Sequence, residues 1–113
     1  MREFKFRAWH TELGMSDVFG IETDLEALPE AIMQFTGLVD KNGKEIYEGD
    51  IVHLFGKGHY DGVDYNGCIQ FLDGGFCATD GHKEWGLRRY DLSRCDLEIE
   101  VIGNIYENLE LLD

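Results

Sequence analysis

Apolar and polar residues alternate with a period of two in several short runs, and this period is the signature of strands with one buried face. Phe4, Phe6 and Ala8 alternate with Lys5, Arg7 and Trp9 at the start, and Leu97, Ile99 and Val101 alternate with Glu98 and Glu100 near the end. Between them the chain predicts strands over Ile32 to Leu38, Glu45 to Tyr47, Ile51 to Phe55, Cys68 to Leu72, Phe76 to Thr79 and Trp85 to Tyr90. Turn chemistry separates these runs. Asn42-Gly43 suits the positive φ values of a hairpin, Glu48-Gly49-Asp50 reads as a second turn, and Asp73-Gly74-Gly75 and Asp80-Gly81 mark two more. Only Asp24 to Leu28 reads as a short helix, with Pro29 discouraging its extension. The stretch from Gly56 to Gly67 holds four glycines among Asp61, Asp64 and Asn66, a composition that predicts a long mobile loop.

Many short strands with glycine-rich turns favour a small, partly closed barrel over a sandwich, which usually needs more strands. At 113 residues the chain has the length of one domain with one core. No internal repeat or low-complexity tract divides it.

Three segments resemble a known family. Thr36 to Val52 carries TGL, then D-x-NG, then IYEGDIV; Glu100 to Asn108 reads EVIGNIYEN; and the opening Phe4 to Trp9 is similar as well. These motifs resemble the YopX family of small bacteriophage and prophage proteins. The resemblance spans the chain, with a divergent middle. It implies a mainly β fold: an SH3-like, partly open barrel from about residue 36 onward, an N-terminal strand extension over residues 1 to 35, and at most one short helix. It carries a lineage and an architecture, and no activity.

Charge narrows the partners. The net charge of −13 opposes contact with a phosphate backbone, so direct binding to nucleic acid is not expected. Arg2, Lys5 and Arg7 against Glu3 give the first nine residues +2 and leave −15 for the rest. Opposite charges on the two terminal strands, Lys5 and Arg7 against Glu98 and Glu100, predict that these strands lie side by side, within one chain or across a subunit boundary. No apolar run is long enough for a membrane span and no signal peptide pattern follows Arg2 to Arg7, so a cytoplasmic location in the host cell is expected.

Candidate chemistry is sparse. Cys68, Cys77 and Cys95 are odd in number and lack C-x-x-C spacing, which speaks against a disulfide framework or a zinc site. Glu48 and Asp50 form a close carboxylate pair, better suited to accepting hydrogen bonds from backbone amides than to acid–base work. His10, His53, His59 and His82 stand in unrelated contexts, and no nucleophile elbow is present. Asp61, Asp64 and Asn66, with His53 and His59 nearby, fail calcium-loop spacing, as does Asp40-Lys-Asn-Gly43. Gly56 and Gly58 lack the remaining spacing of a phosphate loop. Phe35, Tyr47, Phe55, Phe71, Phe76, Trp85 and Tyr106 read mainly as core, with Lys83, Arg88 and Arg89 around Trp85 as the one cluster suited to base stacking. No catalytic residue, metal ligand or cofactor is therefore assigned. The expected function is a non-catalytic protein-binding or assembly module, forming a homo-oligomer through exposed sheet edges or engaging a phage or host protein. The alternative is an acidic decoy that imitates nucleic acid and occupies a host DNA-binding enzyme.

Overall fold

The computed structural model describes residues 4–16, 18–20, 31–58, 61–72, 75–79, 89–91 and 97–112. In chain order the strands are β1 (Phe6–His10), β2 (Gly14–Met15), β3 (Ala31–Val39), β4 (Glu45–Tyr47), β5 (Asp50–Gly56), β6 (Asp64–Leu72), β7 (Gly75–Thr79), β8 (Arg89–Asp91) and β9 (Leu97–Asn104). A 3-10 turn over Leu109–Leu112 is the one helical element among the described residues. The expected helix at Asp24 to Leu28 and most of the Trp85 to Tyr90 strand lie outside them.

All pairings among the described residues are antiparallel, in two sheets of order β2-β1-β3-β4 and β8-β7-β6-β5-β9. Together they form a curled half-barrel, the mainly β fold that the alternation predicts. The main core is built from inward-facing residues of the second sheet, Val52, Leu54, Ile69, Ala78 and Ile99, closed by Ile46 of β4. A second cluster, Met33, Phe35 and Tyr47, packs with Trp9, Met15 and Tyr106. The boundary drawn at residue 36 falls inside β3, whose first half pairs with β1 and whose second half pairs with β4.

Two buried carboxylates join the parts. Asp50 is 1% exposed; its Oδ1 meets Arg7 Nη2 at 2.5 Å, and its Oδ2 accepts the Tyr47 amide at 2.8 Å. The Arg7 guanidinium also lies 4.3 Å from the centre of the Tyr47 ring. Asp40 works on the hairpin between β3 and β4. Its Oδ1 accepts the amides of Asn42 and Lys44, and its Oδ2 accepts that of Val101 at 2.9 Å. The Lys41 amide donates to the Ile99 carbonyl at 3.0 Å. The hairpin turn thus takes the place of a neighbouring strand along part of β9, the longer edge strand of its sheet.

Two expectations are corrected. The terminal strands do not pair within the chain: β1 lies between β2 and β3, and β9 lies against β5. Lys5 instead forms an ion pair with Glu45 and Arg7 pairs with Asp50, while Glu98 meets Lys57 and Glu100 accepts from Asn42. Opposite charges are spread along the whole chain, so they do not by themselves choose strand neighbours. The second correction concerns Gly56 to Gly67. β5 runs through Gly56 and β6 begins at Asp64, so the two ends of this stretch, Gly56 and Asp64 to Gly67, are strand.

Gly43 adopts φ +83° in the hairpin turn, with open space where a Cβ would stand. Gly43→Val is expected to cost about 1 to 2 kcal/mol through backbone strain alone. Denaturant unfolding measures this, and an unchanged midpoint would show that the turn accepts a β-branched residue.

Candidate binding groove

The backbone of the Glu48-Gly49 turn is a knot between four segments. The Glu48 amide donates to Gln34 of β3, the Gly49 amide donates to Ile69 of β6, and the Gly49 carbonyl accepts from Ile105, just past β9. Glu48 Oε1 returns to β3 by accepting the Gln34 amide at 2.9 Å. Glu48 and Asp50 therefore each bind a turn or strand amide, as their spacing predicts.

Where these segments converge they leave a groove of about 310 Å³. β3 supplies Ile32 and Met33, the turn supplies Glu48 and Gly49, β6 supplies Cys68 to Phe71, and Ile105 and Tyr106 close the end. Its lining is mixed, with Glu48 and Gln70 set among apolar side chains and exposed backbone. Ile32 is 52% exposed and Phe71 47% exposed, large apolar side chains left in contact with water beside the groove they line. The Tyr106 ring stacks on Trp9, with centroids 5.4 Å apart, which ties the groove to the first sheet.

The thiol and phenols in and behind the groove, Cys68, Tyr47 and Tyr106, are held in their protonated forms near neutral pH. Burial, with smaller effects from Asp50 and Cys77, pushes the Cys68 thiol up to about 11, so it stays protonated. Burial and the adjacent Glu45 carboxylate push the Tyr47 phenol up to about 12. Tyr106 is raised as well, again chiefly by burial.

Sequence-predicted site residues are dispersed by the fold. Phe35 and Tyr47 are core, Phe71 and Phe76 pack edge to face at 5.0 Å, and Phe55 is exposed. They do not share one stacking surface. His59, His82, Lys83, Trp85, Arg88 and Cys95 lie outside the described residues, as does the side chain of Arg89. The structure does bring His53, Asp64 and Asn66 together. His53 Nε2 lies 2.9 Å from Asp64 Oδ1, and its Nδ1 lies 2.9 Å from Asn66 Oδ1. Asn66 Nδ2 in turn donates to the Leu111 carbonyl at 2.8 Å, holding the C-terminal 3-10 turn against β6. Among the described residues no group of three or more His, Cys, Asp or Glu side chains is arranged to hold a metal ion.

Sequence reasoning missed the groove because its lining comes from four separate segments. Each reads on its own as core or as turn. The usable signal was the IYEGD motif, since a turn flanked by buried Tyr47 and Asp50 has to present its own backbone to other strands.

Comparison with known proteins places the chain. It is similar, at 30% sequence identity over the full length of both chains, to the crystal structure of protein EF1440 from Enterococcus faecalis, with a TM-score of 0.63. No curated protein matches it. The sequence model of the YopX protein family matches residues 6–113, so the chain belongs to the YopX family.

Proposed function

We propose that this YopX protein is a non-catalytic accessory protein of a bacteriophage or prophage that acts in the host cytoplasm by binding another protein. The observation that carries this reading is the groove, a concavity of mixed lining flanked by the exposed apolar side chains of Ile32 and Phe71. The high pKa values of Cys68 and Tyr47 support a non-catalytic role. No described helix is long and apolar enough to cross a membrane.

Self-association into a homo-oligomer belongs to the same proposal. The hairpin covers part of the β9 edge, so among the described strands β8, at the other end of that sheet, is the edge we assign to strand pairing between copies. Light scattering across a concentration series tests it: a multimer supports pairing, and a monomer throughout removes it. The decoy reading draws less support. Asp40, Glu45, Glu48 and Asp50 are spent on internal bonds and Glu98 is paired with Lys57, which leaves fewer carboxylates for a continuous acidic ribbon.

The test of the binding role is capture from host cells during phage expression, comparing the natural chain with Ile32→Asp and Phe71→Ser combined. A protein retained by the first and lost by the second supports the groove as the binding surface. Equal retention by both places binding elsewhere.

A further inference from the structure

We infer that the groove takes an apolar side chain set beside a lysine or arginine of the partner protein; this rests on the binding-module reading and adds the chemistry of the partner. The observation is Glu48. Its Oε1 is pinned by the Gln34 amide, so its charge is fixed at the groove it lines. Among the described residues no cationic side chain lines the groove and no ion pair involves Glu48.

A purely apolar occupant would strip water from this carboxylate without replacing it, a loss that opposes binding. An occupant that also brings an ammonium or guanidinium group removes the penalty and gains a charge-assisted hydrogen bond. The net charge of −13 acts in the same direction at longer range, drawing basic surfaces and repelling acidic ones. A second copy of this chain is a poor occupant for the same reason. Of its described cations, Lys5, Arg7 and Lys57 are already paired with Glu45, Asp50 and Glu98, which leaves Lys41 and Lys44 on a chain of strong net negative charge.

The test is selection from a library of short random peptides on the full chain, followed by NMR titration and affinity measurement of the winners. The expected winners carry Lys or Arg next to a bulky apolar residue and shift the resonances of Ile32, Phe71 and Tyr106. Their affinity is expected to fall about tenfold in Glu48→Gln, the loss of one charge-assisted contact, and to weaken as salt rises. Glu48→Gln keeps an oxygen for the Gln34 amide, so an unchanged unfolding midpoint separates lost binding from lost fold. Winners that occupy the groove without a basic residue, or that ignore Glu48→Gln, overturn the inference and leave the binding-module reading standing. Winners that leave the groove resonances unmoved overturn the inference and place binding elsewhere on the chain, and no winners at all overturn both.

Discussion

Asp50→Ala is expected to destabilise the protein by about 3 to 5 kcal/mol, because removing one partner of a buried ion pair leaves the other charge uncompensated. Arg7 is 16% exposed, and its Nε already lacks a hydrogen-bond partner. The Tyr47 amide loses its acceptor in the same change. Arg7→Met combined with Asp50→Leu should recover part of the loss, since replacing a buried pair by apolar groups is often close to neutral. Urea unfolding of the two variants beside the natural chain measures this. A single-variant loss below about 1 kcal/mol would mean that the pair contributes no more than a surface contact.

Asp40→Ala is expected to cost about 2 to 3 kcal/mol, since three backbone amides lose one shared acceptor. It should also uncover the β9 edge and promote association at high concentration. Asp40→Asn should cost less. Its remaining oxygen can still serve Asn42 and Lys44, while its NH₂ faces the Val101 amide. The same site sets part of the acid response. Burial pushes the Asp40 carboxyl up, but the Val101, Lys44 and Asn42 amides outweigh it and hold the group below its ordinary 3.8. A lowered folded-state value means that its stabilisation is present above pH 3.8 and is lost as pH falls through the lower folded value. Glu45, held down chiefly by its hydrogen bond to Lys5, adds a loss of the same sign starting from 4.5. Asp50 acts in the opposite direction. Burial raises it despite the Tyr47 amide and Arg7, so its protonation favours the folded state as pH falls. Asp40→Asn should therefore lose stability less steeply than the natural chain below about pH 4. Parallel acid-unfolding slopes would show that Asp40 is not a source of the acid loss.

The period-two runs gave the strands because one face of each is buried, as Ala8 in β1 and Val52 and Leu54 in β5 show. The partners of charged groups were not legible. Arg7 and Asp50 are 43 residues apart, and nothing local marks either as buried. Gly67 misled for a specific reason. In the sequence it reads as part of a turn, whereas in β6 a Cβ at that position would stand 2.9 Å from the Thr79 carbonyl oxygen. It is a glycine of close strand approach, which composition does not distinguish from a glycine of a loop. The groove followed the same logic, since Ile32, Glu48, Phe71 and Tyr106 are neighbours only after the Glu48-Gly49 turn has drawn β3, β6 and the Ile105 segment together.

The most direct measurement of the central claim is the dissociation constant of the captured partner by titration calorimetry, for the natural chain, for Ile32→Asp with Phe71→Ser, and for Phe55→Ser. Phe55 is an equally exposed aromatic on β5 that does not line the groove. The groove variant is predicted to bind at least about 30-fold more weakly, the loss of an interface hot spot, with Phe55→Ser within about threefold of the natural chain. Equal affinities for all three, or a larger loss in Phe55→Ser, would contradict the assignment of the groove as the binding surface.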